Sequence, residues 1–309
     1  MCCRRSGRCQ VRGRETTLAL ESEFVFVMTS TNALPKPTSD RSRMSADLAE
    51  HGYCLVADAL SGSKLKGLQA AVDRTAGEDI ASGHPFVDEG GANQRLWQLL
   101  NRGAEFVELA EHPLALELAG ELLGNRTAYG IENDGLPQFL LSSLTANIAG
   151  YGGTPMLMHC DQGYVHEPWP DYPIVCNGGW LLDDFREENG ATLAIPGSHK
   201  LNRNPAPGEE KRAIPIEAPA GTLFFFDGRL WHGTGSNRAR TLRRGIFSYF
   251  CQPWIRTQEN HTASIDPEVA ENASPVLRRL VGLDAYGISV GMINGLPPSG
   301  LKSADHSAR

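Results

Sequence analysis

Two histidines and one aspartate in this sequence have the types and spacing of metal ligands. His159 and Asp161 lie two residues apart in PMLMHCDQGYVHEPWP (155–170), where three prolines and a glycine exclude a helix. Alternate residues of a strand point to the same face, so we expect both side chains on one face. His232, in LWHGTGSN, offers a second imidazole on a later strand. Two histidines and a carboxylate with open positions form the ligand set of non-haem Fe(II) oxygenases.

Arg243 makes this combination more specific, since an HxD pair often arises by chance and a lone histidine is often a core residue. It opens RRGIFSYF, eleven residues after His232, and shares a predicted strand face with Phe247 and Tyr249, while Arg244 points the opposite way. A guanidinium buried on this apolar face needs an anion, and its planar fork fits a carboxylate. That anion is either an acidic residue in a structural ion pair or the distal carboxylate of a small dicarboxylic co-substrate.

The elements that position these residues fall into distinct stretches of the chain. Residues 1–45 have no periodicity and are rich in Ser, Thr, Pro and Arg, so we expect a disordered extension. From about 138 to 252, short β-rich runs alternate with Gly-Gly, Asn-Gly, Pro-Gly and Asp-Gly turns, which predicts a sandwich or jelly-roll core. A mainly helical part over 46–137 and a short helical tail over 253–309 complete a single domain, 46–309. Within the helical part, NQRLWQLL (93–100) is either a wall of the substrate site or a packing helix, and we favour the helix.

Composition excludes several classes of partner. The 309-residue chain is 41% hydrophobic and 21% charged, with a net charge of −7, and so gives no electrostatic reason to bind nucleic acid or anionic lipid. No run approaches the roughly 20 apolar residues of a membrane helix. The seven cysteines form no CxxC pair, and we expect reduced thiols in a cytoplasmic protein. The expected partner is a small molecule.

Longer motifs surround the candidate ligands: MHCD (158–161), WLLDDFREENGATLAIPGSHK (180–200) and GTLFFFDGRLWHGTGSNRARTLRR (221–244). Together they resemble the phytanoyl-CoA dioxygenase family of iron- and 2-oxoglutarate-dependent oxygenases, with a weaker match over 93–124. The resemblance implies a mainly β catalytic domain with flanking helices around a double-stranded β-helix (jelly-roll, cupin-like) core. It also implies a dioxygenase that uses Fe(II), 2-oxoglutarate and O2, hydroxylates a C–H bond and releases succinate and CO2.

The resemblance implies roles for individual positions. His159, Asp161 and His232 would ligate Fe(II), as their spacing already suggests. Further positions would bind 2-oxoglutarate, with Arg243 and Thr234 at its far carboxylate and Trp180 lining its pocket. For Trp180, a core position in the β sandwich fits equally well.

The loop after the HxD motif supplies candidates for substrate contact, which are Gln162, Tyr164, His166 and Trp169. The alternative is that Pro168 and Trp169 only pin the loop. The absence of a Lys or Arg run near the predicted site disfavours an acyl-CoA, and favours an uncharged or zwitterionic substrate, lipid-like or a secondary metabolite.

Two other functions are compatible with the same residues. A jelly-roll sensor would bind metal and 2-oxoglutarate without turnover, and a zinc hydrolase would use the two histidines and the aspartate without O2. The anion-requiring Arg243 argues against the hydrolase. Open iron positions have no purpose in a sensor, so the oxygenase is favoured.

Overall fold

The computed structural model describes residues 33–124, 135–287 and 290–296. The helices are α1 (Arg41–His51), α2 (Gly62–Ala81), α3 (Ala104–Ala110), α4 (Pro113–Leu123), α5 (His261–Ser264), α6 (Pro267–Glu271) and α7 (Pro275–Leu280). The strands are β1 (Tyr53–Val56), β2 (Phe86–Val87), β3 (Asn93–Leu96), β4 (Leu140–Ala149), β5 (Val175–Leu181), β6 (Thr192–Ala194), β7 (Ile214–Pro215), β8 (Leu223–Asp227), β9 (His232–Thr234) and β10 (Arg243–Cys251). None of these helices is long and apolar enough to cross a bilayer.

The strands form two antiparallel sheets that enclose the candidate site. The larger sheet has the order β1-β8-β5-β10-β4-β3-β2 and the smaller one the order β7-β6-β9. Between the sheets, Phe224 and Phe226 of β8 pack in one apolar cluster with Ala194 of β6. The opposite face of the larger sheet carries Phe225 and Phe250, which pack against the helices. The observed fold is therefore mainly β with flanking helices, as predicted.

The central strands of the larger sheet are covered on both faces. Strands β5 and β8 have no exposed residue along their lengths. A strand buried on both faces reads as a continuous apolar run and not as an alternation of apolar and polar residues. The sequence of such a strand therefore identifies it as buried without indicating which residues face the site.

Helix α1 begins at Arg41, so the predicted disorder over 1–45 is wrong for its last residues. Asp40 caps the helix, because its carboxylate accepts hydrogen bonds from the amides of Ser42 and Arg43 at 2.9 and 3.3 Å. These amides have no acceptor within the first turn of a helix, and the cap supplies one. Residues 1–32, most of the predicted extension, lie outside the described residues.

We expect Asp40→Ala to lower the free energy of unfolding by about 1 kcal/mol, the usual effect of losing a helix N-cap. The measurement is urea unfolding followed by circular dichroism. Ser39→Ala, at the exposed neighbouring position, is the matched control and is expected to change nothing. Equal unfolding midpoints for the two variants would show that the cap does not stabilise α1.

Residues 93–96 form strand β3, so the favoured interpretation of 93–100 as a packing helix is wrong. Strand β3 pairs with the edge of β4, with Arg95 opposite Asn147 and Leu96 opposite Ala146. The backbone hydrogen bonds of this edge come from tertiary pairing, which overrides local propensity. Leu96 is buried on the helix side of the sheet, which leaves Arg95 on the side of the site.

Candidate metal centre and co-substrate pocket

The structure brings the two histidines and the aspartate of the sequence prediction together. The Nε2 atoms of His159 and His232 lie 3.9 and 3.7 Å from Oδ1 of Asp161. One ligand atom from each residue lies within 4.8 Å of the other two. Three ligands at about 2.0–2.2 Å from one ion fit such separations. The predicted convergence is confirmed.

Backbone pairing sets the two imidazoles side by side. The amide of His159 donates to the carbonyl of His232 at 2.9 Å, and the amide of His232 donates back at 2.8 Å. The two rings consequently lie 4.4 Å apart between centroids. Gly233 allows this approach, because a Cβ there would lie only 2.7 Å from the carbonyl oxygen of Met156. The glycine of the HGTG motif thus positions the segment that carries His159.

Asp161 is positioned by a different element of secondary structure from the one predicted. His159 forms an isolated bridge, and Asp161 begins a 3-10 turn, Asp161–Tyr164, so the two do not share the face of one continuous strand. The turn is anchored by the Gln162 amide, which donates to the carbonyl of Gly228 at 2.9 Å. The three side chains converge as predicted, but the geometric reason given for it was wrong, because the prolines and tertiary contacts of this segment break the strand.

Hydrogen bonds fix the tautomer of both histidines. Nδ1 of His159 lies 2.8 Å from the carbonyl oxygen of Leu157, and Nδ1 of His232 lies 2.9 Å from that of Leu230. A carbonyl accepts only, so each Nδ1 carries the hydrogen and each Nε2 presents its lone pair. Burial lowers the pKa of His232, which favours the neutral imidazole that a metal requires.

Asn177 of β5 orients the carboxylate and was missed in the sequence. Its Nδ2 donates to Oδ2 of Asp161 at 3.1 Å, which leaves Oδ1 facing the two histidines. Partners of this kind hold a ligand in the geometry for metal binding. The available signal was a single amide side chain within the otherwise apolar and glycine-containing run VCNGGWL.

Asn177→Ala is expected to weaken metal binding 10- to 100-fold, about the effect of losing such an outer partner. Anaerobic calorimetric titration with Fe(II) measures the change. Ser143→Ala is the control, because Ser143 lines the same cavity but donates to Gln258 and not to Asp161. Equal iron affinity in the Asn177 variant and the wild type would contradict the orienting role.

Arg243 is the buried cation that the sequence predicted. It is 1% exposed, and its guanidinium stacks 4.6 Å from the centre of the Phe185 ring. Its Nη2 donates to the carbonyl of Gly190 at 2.8 Å, while its Nε has no partner. Within the described ranges no ion pair joins Arg243 to a carboxylate, whereas Arg244 pairs with Asp183 and Asp73. The structural ion pair considered for Arg243 is therefore absent from this part of the chain, and the guanidinium lines a cavity.

Two adjoining cavities contain the candidate site. One, of about 340 Å³, is lined by the three candidate ligands, and the other, of about 300 Å³, by Arg243. Thr234 lines both cavities, so it borders the cavity that contains Arg243, with which it was predicted to bind the far carboxylate of 2-oxoglutarate. Thr192, its cross-strand partner on β6, also lines the first cavity and was missed in the sequence.

Strand β4 adds polar residues to the first cavity that the sequence did not identify. Ser143, Thr145 and Asn147 alternate along the strand and face the cavity. They were missed because the strand is largely buried on both faces, so alternation gave no register.

Trp180 does not line either cavity, and the prediction that it does is wrong. Its side chain is fully buried on the helix side of the sheet, where its Nε1 donates to Oγ of Ser248 at 2.9 Å and its ring contacts His112. The adjacent Gly179 faces the other way, toward Phe247 of the cavity wall. Trp180 is therefore a core side chain of the β sandwich, which was the alternative interpretation of its sequence position.

Of the four candidates for substrate contact, only Tyr164 lines a described cavity. Gln162 is fully buried and accepts a hydrogen bond from the amide of Ile174, and Trp169 is buried with its Nε1 donating to the carbonyl of Val165. His166 is exposed outside both cavities. These three residues stabilise or border the loop, and the structure places none of them in the wall of either cavity, where the predicted contact with substrate would require them.

Comparison with known proteins connects this geometry to a family. A family model described as phytanoyl-CoA dioxygenase (PhyH) matches residues 48–245. The dioxygenase af480 of Aspergillus fumigatus is 33% identical over 281 residues, which cover 88% of this chain and 87% of that protein.

Solved structures share the fold. HygX from Streptomyces hygroscopicus, with nickel, 2-oxoglutarate and hygromycin B bound, aligns with a TM-score of 0.55 at 13% identity over 71% of this chain and 89% of that chain. The epimerase SnoN, in complex with Fe3+, alpha ketoglutarate and nogalamycin RO, aligns with a TM-score of 0.55 at 18% identity over 77% and 93%. These similarities confirm the predicted jelly-roll core.

Proposed function

This chain belongs to the phytanoyl-CoA dioxygenase family, and from that premise we propose that it hydroxylates a C–H bond of a small organic substrate. The family depends on Fe(II) and 2-oxoglutarate, and the chain is an oxygenase of this class. One observation carries the proposal. Three ligand atoms converge in one cavity, and the adjoining cavity contains a buried arginine that has no carboxylate partner among the described residues.

The residues of the site divide the work as follows. His159, Asp161 and His232 hold the iron, with the hydrogen of each imidazole on Nδ1. Arg243 binds the distal carboxylate of 2-oxoglutarate, next to the Thr234 side chain. The iron, 2-oxoglutarate and O2 together supply the oxidant that places a hydroxyl on the substrate, with release of succinate and CO2.

Two aromatic side chains of β10 form part of the wall of the first cavity. Phe247 and Tyr249 of β10 line the first cavity, and the hydroxyl of Tyr249 donates to the carbonyl of Asp161 at 3.1 Å. This bond also ties the 3-10 turn to the larger sheet. Apolar groups at this part of the wall limit the access of water beside Asp161, which strengthens the interactions of the charged groups there.

Formation of succinate from 2-oxoglutarate tests the proposal. Purified protein is incubated with Fe(II), ascorbate and 2-oxoglutarate in air, with and without a panel of lipid-like and secondary-metabolite substrates. We expect succinate that requires both iron and O2, and a substrate product heavier by one oxygen atom. Binding of 2-oxoglutarate without succinate from any substrate would favour the sensor, and turnover without O2 would favour the zinc hydrolase.

A further inference from the structure

Gln258, in the segment that follows β10, has a side chain that the proposed function does not use. It lines the same cavity as the three candidate ligands. Its Oε1 accepts a hydrogen bond from Oγ of Ser143 on β4 at 2.9 Å. No group among the described residues accepts a hydrogen bond from its Nε2. The amide therefore keeps two hydrogen-bond donors for a molecule bound in this cavity.

An irregularity in β4 positions the backbone of Gln258. The pairing of β4 with β10 skips Ser142, which is left without a partner on β10. The Oγ of Ser142 instead accepts from the amide of Gln258 at 3.0 Å, and its carbonyl accepts from the amide of Glu259 at 2.9 Å. Bulges of this kind bend a strand and redirect side chains, and they are common next to active sites. The extra residue of β4 thus holds the segment after β10 against the cavity.

Glu259 anchors the same segment more firmly. Its carboxylate is buried and accepts from the amides of Gln98 and Leu144 at 2.6 and 3.1 Å. Displacing the segment would leave this buried carboxylate without its hydrogen bonds, which is costly. Gln258 itself is exposed, but it stands on a fixed backbone with one end of its amide held by Ser143. A donor that is held in place before binding loses less conformational entropy when a ligand binds.

The pairing of the larger sheet places Gln258 level with Asp161 and away from Arg243. Asn177, which holds Asp161, and Ser143, which holds Gln258, pair with the same residue of β10. Arg243 begins that strand, six residues away, which corresponds to about 20 Å along a strand. In the proposed function 2-oxoglutarate lies between the iron and Arg243, so the part of the cavity at Gln258 is left for the substrate.

We propose that Gln258 is a specificity-determining residue, whose Nε2 donates a hydrogen bond to a carbonyl oxygen of an uncharged substrate and so determines which C–H bond faces the iron. Tyr164 and Met156 line the same cavity, are 56% and 42% exposed, and supply apolar contacts for the rest of the molecule. The amide is neutral, so it pairs with a carbonyl without requiring a compensating charge. This inference rests on the proposed function. It agrees with the uncharged substrate that the sequence favours and adds a required oxygen atom to it.

Matched ketone and hydrocarbon probes test the inference without turnover. Protein loaded with Mn(II) and 2-oxoglutarate under argon is equilibrated with camphor or 2-methylenebornane, and with cyclodecanone or methylenecyclodecane. Headspace gas chromatography measures the free probe. Within each pair, a methylene group replaces the carbonyl oxygen. For at least one pair, the ratio of ketone to hydrocarbon affinity should fall about 3- to 10-fold in Gln258→Leu, the effect of losing one neutral hydrogen bond. Comparing this ratio between proteins cancels the different hydration of the two probes.

Two further variants separate the amide donor from other effects. Gln258→Glu keeps the length of the side chain but has no donor when ionised, so it should lower the ratio as Gln258→Leu does. Gln98→Leu is the matched control, because Gln98 is exposed outside both cavities and donates to Glu259 through its backbone amide. This control should leave the ratio unchanged.

The inference fails if neither ketone binds the wild type, or if Gln258→Leu leaves the ratio unchanged for both pairs. An unchanged ratio in Gln258→Glu would show that the amide donors are not used. The 2-oxoglutarate affinity of Gln258→Leu should equal that of the wild type within about 3-fold, and a larger loss would assign Gln258 to the co-substrate and overturn the inference. A failure of the proposed function is recognised separately, as the absence of iron-dependent succinate formation in the wild type.

Discussion

Asp161→Ala is expected to lower iron-dependent succinate formation by more than about 100-fold. Loss of an outer partner alone typically lowers metal affinity or activity by 10- to 100-fold, and Asp161 is the one anionic ligand of the proposed centre. Its Oδ1 lies 3.7 and 3.9 Å from the two Nε2 atoms, where both histidines and the carboxylate reach a single ion. Succinate is quantified by mass spectrometry at saturating 2-oxoglutarate, and iron affinity by anaerobic titration.

His166→Ala is the matched control for this prediction. His166 lies in the same segment but is exposed outside both cavities, so its removal should leave activity within about 2-fold of the wild type. Circular dichroism and thermal unfolding show whether each variant is folded. If folded Asp161→Ala kept a tenth or more of the activity, Asp161 would not be an iron ligand.

Arg243→Met is expected to stabilise the ligand-free protein and to weaken its response to 2-oxoglutarate. The side chain is 1% exposed with its Nε unpaired, and burial lowers its pKa to about 10, so the charged form is disfavoured in the absence of an anion. Replacing a poorly compensated buried charge by an apolar side chain of similar length should raise the free energy of unfolding by about 1–2 kcal/mol. Loss of the stacking on Phe185 offsets part of this gain.

The same substitution that stabilises the ligand-free protein should weaken the binding of 2-oxoglutarate. Truncating one partner of a buried charge pair costs about 2–5 kcal/mol, so 2-oxoglutarate affinity should fall at least about 30-fold. In the wild type, 2-oxoglutarate at about 100 times its Kd should add roughly 2.7 kcal/mol of stability, and the same concentration should add about 0.9 kcal/mol or less in the variant. Chemical unfolding with and without Mn(II) and 2-oxoglutarate measures both quantities.

Arg244→Met, at the adjacent position, is the control. It is expected to lower stability and leave co-substrate binding unchanged, the reverse of Arg243→Met. Arg244 donates to Asp183 and Asp73 on the other face of β10, and these ion pairs raise its pKa. Its loss should destabilise the protein by about 1–3 kcal/mol, since the pairs are only partly buried, and should leave 2-oxoglutarate affinity unchanged. Equal responses of the two variants to 2-oxoglutarate would exclude Arg243 as its binding residue.

The sequence by itself identified the candidate ligand set, the buried arginine and the fold class. Residue types and their separations along the chain can be read without knowing how the side chains pack. That is why the sequence could identify His159, Asp161, His232 and Arg243. The β core was identified because turn residues recur between short apolar runs. Residue types, their spacing and turn residues are all visible in the sequence itself, without any knowledge of tertiary contacts.

The tertiary structure alone decided which neighbours face the site. Strand β5 is buried on both faces, so its sequence has no alternation to fix the register, and a shift of one residue exchanges the two faces. That is why Trp180 lies in the helix-side core while Asn177 holds Asp161. Arg95 reached the cavities only because β3 pairs with the edge of β4, a contact between segments far apart in the chain that no local propensity specifies.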